Sequence, residues 1–204
     1  WRQSDCLSIS LNYYDQGMRF FHPEIHNRIS DDFTSGYTAG EFPGLYYLVA
    51  SLWKVFGVHE WIYRLLVWLL FAGGTWALFL LCRKLSNSWF TAICIALTLY
   101  TSPVLFFYSV NFLTNVPALS LILISAYVLY LFYLGGRWRH LLLWGFLISL
   151  AGLLKIPALI SVLALGGALL VAMVFRLPHP FKGKEWKIFL TLGASLLLVL
   201  AWYR

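Results

Sequence analysis

Seven of the eight acidic side chains in this 204-residue sequence fall within residues 1–60, and the eighth is Glu185. A carboxylate held at a membrane surface can take the proton from a hydroxyl or an amine as that group attacks. Asp5 suits the role, because Arg2 lies close enough in sequence to keep it ionised. The competing reading is that Asp5 caps a helix beginning near Cys6. Glu41, just before Phe42-Pro43, is either a hydrogen-bond partner for a polar ligand or a solvated loop acid. Lys155 sits between two apolar runs. A lysine there is costly in lipid, so it either faces a cavity or partner or snorkels to the headgroups. Facing a cavity, its ammonium would stabilise negative charge developing on a leaving group. The same role is open to Arg64, although an arginine at the start of a span also serves as an anchor. His22, Glu24 and His26 crowd together, but Pro23 interrupts them and their spacing is no helical metal motif, so they read as solvated loop residues. No metal site is assigned.

The elements that must position these groups follow from composition. The chain is 61% hydrophobic and 11% charged, with a mean hydropathy of +0.76. Soluble domains carry about twice that share of charge. The apolar residues come in long runs, which no water-soluble core of this size could hide. The fold class is therefore all-α, a polytopic transmembrane helical bundle with a large first loop on the non-cytoplasmic side. The net charge of +7 does not indicate nucleic acid, because Lys and Arg sit in short clusters between apolar runs. Cys6, Cys82 and Cys94 show no paired spacing, and the last two read as small packing residues.

Residues 1–60 form the predicted first loop, with juxtamembrane helices. Ser4 to Tyr14 suits a short interfacial helix, although Leu7, Ile9, Leu11 and Tyr13 also alternate as in a strand. Residues 22–42 read as loop, including Ser30-Asp31-Asp32 and Thr38-Ala39-Gly40. Gly44 to Phe56 is apolar and aromatic but only about 20 Å long as a helix, which suits the interface better than a full crossing. Residues 61–204 carry the predicted spans, at about 61–82, 88–110, 116–134, 141–154, 156–175 and 188–203. Pro157 should break the chain at Lys155-Ile156. No repeat and no low-complexity segment is evident. Trp1 opens the chain without a signal-peptide pattern, and both ends are expected to be cut from a longer protein.

If each run crosses once, the basic clusters at 83–84, 137–139 and 176–187 share one side, which the positive-inside rule makes cytoplasmic. The acidic first loop, the Tyr108–Asn115 connection and Lys155 then meet on the other.

The order of short motifs is more specific than any one of them. It runs Trp1-Arg2-Gln3-Ser4-Asp5, Asn12-Tyr13-Tyr14, Phe21-His22-Pro23, Gly40-Glu41-Phe42-Pro43, Leu45-Tyr46-Tyr47 and Phe56-Gly57-Val58-His59-Glu60-Trp61. Tyr108-Ser109, Asn115-Val116-Pro117-Ala118 and Leu154-Lys155-Ile156-Pro157 continue it. This order resembles glycosyltransferase family 39, the protein O-mannosyltransferases and bacterial aminoarabinose transferases, over nearly the whole chain. The resemblance implies the GT-C fold and an inverting glycosyltransferase that moves a sugar from a polyprenyl phosphate to a lipid, glycan or protein acceptor. It implies Asp5 as catalytic base and assigns Arg2, Gln3, Glu41, Tyr108, Asn115 and Lys155 to substrate binding, with Lys155 at the lipid phosphate. No cofactor is implied beyond the lipid-linked sugar, and no nucleic-acid partner. Many relatives carry an acid where Asn115 stands, which leaves divalent-metal dependence open. The implied setting is a bacterial inner membrane, with the site facing the periplasm or exterior. The rival reading, a transporter or flippase, lacks the matching second half that inverted repeats would show and leaves the acidic loop without a task.

Overall fold

A computed structural model describes residues 2–27, 36–37 and 41–204. The Ser30-Asp31-Asp32 and Thr38-Ala39-Gly40 loop segments, and Trp1, lie outside the described residues. Those described are overwhelmingly helical, with one isolated bridge between Glu24 and Tyr37.

α1 (Arg2–Asp15) resolves the helix-or-strand ambiguity in favour of a helix. Cys6, Ile9 and Tyr13, at helical spacing, are the apolar side chains it buries, while Leu7 and Leu11 are only partly covered. The alternating apolar pattern was thus incidental. The buried stripe packs against α2 (Gly44–Phe56), whose Tyr46, Val49, Ala50 and Trp53 are fully covered. Asp5 lies inside the first turn of α1, so the helix begins before Cys6 and Asp5 does not cap it.

α3 (Glu60–Ser86) is 27 residues, roughly 40 Å, longer than the 61–82 span expected. Lys84 and Arg83 end it, and Asn87 in the left-handed region terminates it. The expected continuous span at 88–110 is instead two helices, α4 (Trp89–Tyr100) and α5 (Pro103–Ser109), bent by 64°. Pro103 is the cause. It forces Ser102 out of the helical region and removes a backbone donor, and α5 restarts from it.

α6 (Asn115–Gly135) and α7 (Trp138–Leu154) form an antiparallel pair joined by a tight turn at Gly136, in the left-handed region. α7 stops at Leu154, and Lys155 takes an extended conformation. A 3-10 turn over Ile156–Leu159 then leads into α8 (Ile160–Val174), the break that Pro157 predicts. α9 (Glu185–Tyr203) returns against α7.

Among the described residues, four helical segments, α3, α6, Ile156–Val174 and α9, are long and apolar enough to cross a membrane, and the bent α4–α5 pair would make a fifth. α7 is 17 residues, about 25 Å, short of a ~30 Å hydrocarbon core. Small residues let the helices close up: a side chain at Gly74 of α3 would collide with Ser120 of α6, and one at Gly145 of α7 with Thr191 of α9.

The contacts order the two ends of the bundle. Tyr63 of α3 donates to the Phe112 carbonyl just before α6, and Tyr203 at the end of α9 donates to the Leu153 carbonyl at the end of α7. At the opposite end Lys184 reaches the Tyr133 carbonyl, and Lys187 lies over Trp138. The α1–α2 region therefore sits on the end where α3 and α6 begin and α7 and α9 finish.

Candidate active site

Glu41 is the centre of that end. Its Oε1 accepts from Arg2 Nη2 at 2.5 Å and from Lys155 Nζ, and its Oε2 accepts from Tyr46 Oη at 2.9 Å and Thr114 Oγ1 at 2.5 Å. Four donors from four separate segments thus converge on one carboxylate. The side chains of Glu41 and Lys155 are 16% and 17% exposed, while that of Arg2 is 64% exposed.

Each donor is placed by a local feature. Lys155 is free to turn towards Glu41 because α7 ends one residue earlier. Thr114, fully buried at the start of α6, directs its hydroxyl to Glu41 and makes no side-chain cap. Tyr46, one turn into α2, lies over Cys6 of α1, with the Cys6 sulfur 3.2 Å from its hydroxyl. Arg2 comes from the first turn of α1. α9 closes the arrangement: Trp202 packs edge-on against Phe42 at 4.9 Å, and Tyr203 holds the Leu153 carbonyl at 2.8 Å. The residues next to Glu41 and close to Lys155 are both pinned by the last turn of the chain's final helix.

Burial pushes the Glu41 carboxyl up, but hydrogen bonds from Lys155, Thr114 and Tyr46, with the Lys155 charge, outweigh it and hold the group below the usual glutamate range. The bond to Glu41 raises Arg2 above its ordinary value. Burial pushes the Cys6 thiol up, which makes it a packing group and not a nucleophile. One carboxylate faces two cations, so the cluster carries a net charge of +1.

Beside Lys155 an apolar groove of about 320 Å³ opens, lined by Asn115, Ala118, Leu119, Ile122, Lys155 and Pro157 among others. Asn115 is exposed at the first residue of α6. A groove of aliphatic side chains with an ammonium at its polar end matches an amphiphile whose anionic group sits beside an alkyl chain.

The other sequence-derived candidates are distributed around this centre. Asp5, half-buried in the first turn of α1, lines a separate shallow pocket of about 290 Å³ with Ser8, His26 and Asn27. Gln3 is half-buried and makes no hydrogen bond to Glu41 among the described residues. Tyr108 packs against the hydrophobic core and edge-on to Phe107. Arg64 is occupied by Glu60 at 3.1 Å and lies over the Phe112 ring, the anchoring alternative. His26 hydrogen-bonds Asn12 at 3.0 Å, and Asn12 donates to the Glu24 carbonyl, so this stretch fastens the loop to α1. Thr114 and Tyr46 were not singled out from sequence. Tyr46 stands in the Leu45-Tyr46-Tyr47 motif, whereas Thr114 offers no signal beyond adjoining Asn115-Val116-Pro117-Ala118.

A family model described as dolichyl-phosphate-mannose-protein mannosyltransferase matches residues 41–203. The chain belongs to that family. It is a multi-pass membrane protein of the GT-C glycosyltransferase type. The match begins at Glu41 and takes in Thr114 and Lys155, while α1, with Arg2 and Asp5, precedes it. Comparison with curated proteins found no match, and comparison with solved structures found none.

Proposed function

We propose that the chain transfers a sugar, with inversion, from a polyprenyl-phosphate donor to a lipid, glycan or protein acceptor at the non-cytoplasmic face of the membrane. The observation that carries this reading is the pairing of the net-positive Glu41 cluster with the apolar groove beside Lys155. A lipid-linked sugar phosphate is a diester with one negative charge, which the cluster's net charge balances. Its alkyl chain suits the groove. The family's name points to a dolichyl-phosphate donor and a protein acceptor, both within this reading.

The reaction proceeds in one displacement. Asp5 accepts the proton of the acceptor hydroxyl or amine, whose lone pair attacks the anomeric carbon. The bond from that carbon to the phosphate oxygen breaks, and the electron pair leaves with the polyprenyl phosphate. The leaving group gains a second negative charge at that moment. Lys155 and Arg2 turn from Glu41 towards it, so their stabilisation is strongest in the transition state. The step needs no cofactor, because the cations and the lipid anchor do the work a nucleotide-sugar enzyme assigns to a metal. Glu41 is unsuited to be the base, since Lys155, Thr114 and Tyr46 outweigh its burial and lower its affinity for a proton. Asp5 stands outside that cluster among the described residues. Asn115, at the groove mouth, can hydrogen-bond the donor sugar, and Gln3 and Tyr108 are assigned to substrate binding on the family resemblance alone. The basic end of the bundle lies in the cytoplasm and the Glu41 end faces a bacterial periplasm or the exterior.

The test is single-turnover transfer from a polyprenyl-phosphate sugar by the full-length protein and its Asp5→Asn variant. Transfer should fall at least about a hundredfold, the lower bound for losing a general base. Near wild-type turnover would remove Asp5 as the base.

A further inference from the structure

We propose that the end of the bundle opposite Glu41 holds a binding site for the phosphate headgroup of an anionic phospholipid, built by the loop between α8 and α9. A cavity of about 600 Å³ opens there, walled by Met173, Arg176, Leu177, His179, Lys182 and Glu185, among others. It is separated from Lys155 by the 3-10 turn and α8, roughly 30 Å of helix, and is a different place from the donor groove.

The basic residues of this loop are not equivalent. Lys184 reaches the Tyr133 carbonyl at 3.5 Å and lies over the Phe132 ring. Lys187 lies over Trp138 and Trp186. Both therefore brace the loop against the α6–α7 turn and against α9. Arg176 and Lys182 are different: each lines the cavity, and neither side chain makes a hydrogen bond, close ion pair or ring contact among the described residues, although the Lys182 charge acts on Glu185 at longer range. Glu185, the acid on the wall, faces His179 Nε2 at 3.4 Å. The other ring nitrogen of His179, Nδ1, is buried without a hydrogen-bond partner among the described residues. A buried polar atom in that state is costly unless something fills the space beside it. The wall thus sets two cations, neither with a side-chain hydrogen bond among the described residues, against one acid, a net balance suited to one phosphodiester charge.

The rest of the wall identifies the carrier of that phosphate. Met173 and Leu177 line the cavity, and Val174 and Phe175 beside it are 74% and 70% exposed at the end of α8. A headgroup between Arg176 and Lys182 would leave its acyl chains along this apolar end of the span. A free anion has no use for that surface. The occupant is accordingly a lipid of the leaflet at this end, such as a phosphatidylglycerol, and the inference does not depend on the transfer chemistry at Glu41.

The experiment uses full-length protein in detergent, followed by thermal unfolding while dioleoyl-phosphatidylglycerol, dioleoyl-phosphatidylcholine or inorganic phosphate is titrated. Phosphatidylglycerol should raise the midpoint saturably, and the other two should not. Lys182→Gln should weaken the apparent affinity about fivefold and Arg176→Gln/Lys182→Gln roughly 25-fold, the scale of one surface cation each. Lys84→Gln, in a basic cluster away from the cavity, should respond like the wild type. Equal responses to both lipids would overturn the proposal, as would an unchanged response in both loop variants or an equal loss in Lys84→Gln. A full shift with inorganic phosphate alone would overturn a lipid as the occupant.

Discussion

At the end where α6 begins and α7 stops, one carboxylate gathers two cations and two hydroxyls; at the opposite end, basic side chains sit singly on rings or a carbonyl, or face open space. The first end is buried, and a buried charge persists only when partners surround it. Those partners come from α1, α2, the start of α6 and the end of α7, so the charge and the packing form a single unit. The second end is wet, and charges there need no network. Burial is what turns scattered polar residues into a site, and exposure is what leaves cations available to a ligand.

The largest expected effect is on rate. Asp5→Asn should depress transfer by a hundredfold or more while leaving the thermal midpoint near wild type, because Asp5 joins neither charge network among the described residues. A fall in stability comparable to the loss of rate would place Asp5 in the buried unit instead.

Next comes the buried pair, which should respond asymmetrically. Glu41→Ala strands the Lys155 ammonium, whose only hydrogen-bond partner among the described residues is Glu41, and should cost about 3–5 kcal/mol. Lys155→Met leaves Glu41 with Thr114, Tyr46 and Arg2 and should cost clearly less. Denaturant unfolding of both single variants and of Glu41→Ala/Lys155→Met would measure the coupling. Equal costs for the two single changes would mean that the ion pair is not the centre of the network.

Lys155 also separates catalysis from packing. Lys155→Ala should slow single-turnover transfer strongly, and Lys155→Arg should restore part of it, because the cation is what the departing phosphate needs. Indistinguishable rates in all three forms would make Lys155 a structural partner of Glu41 and nothing more.

A smaller effect should appear with pH. The Glu41 carboxyl titrates lower in the folded protein than in the unfolded chain, so its ionised form favours folding. That contribution is fully present above the ordinary glutamate value of 4.5 and is lost as pH falls through the folded value. The thermal midpoint should therefore drop on acidification below about pH 5, and Glu41→Gln should flatten that part of the profile. A wild-type profile that matches Glu41→Gln throughout would contradict the network.

The smallest effect belongs to the wet end. Lys187→Gln, which removes a cation from above Trp138 and Trp186, should change stability by no more than about 0.5–1 kcal/mol. A loss approaching that of Glu41→Ala would erase the contrast between the two ends.

Sequence alone determined that the chain is a helical membrane protein, where most of its helices lie, and that basic clusters and acids separate. These are properties of runs, periods and charge counts, which need no knowledge of neighbours. Pro157 likewise announced the break that frees Lys155. Pro103 carried the same signal for the bend between α4 and α5, but the apolar run on either side of it reads as a continuous span. Only the tertiary structure decided that α1 is a helix, because the alternation of Leu7, Ile9, Leu11 and Tyr13 fits a strand until α2 selects Cys6, Ile9 and Tyr13 for burial. It alone decided that Glu41 joins Arg2, 39 residues away, to Lys155, 114 residues away. Thr114 entered the site in the same way, as an unremarkable threonine in sequence that burial at the head of α6 places on a carboxylate. A loop acid and a buried hub share one chemical formula. What distinguishes them is the loss of solvent, which obliges the carboxylate to find donors wherever the packed helices bring them.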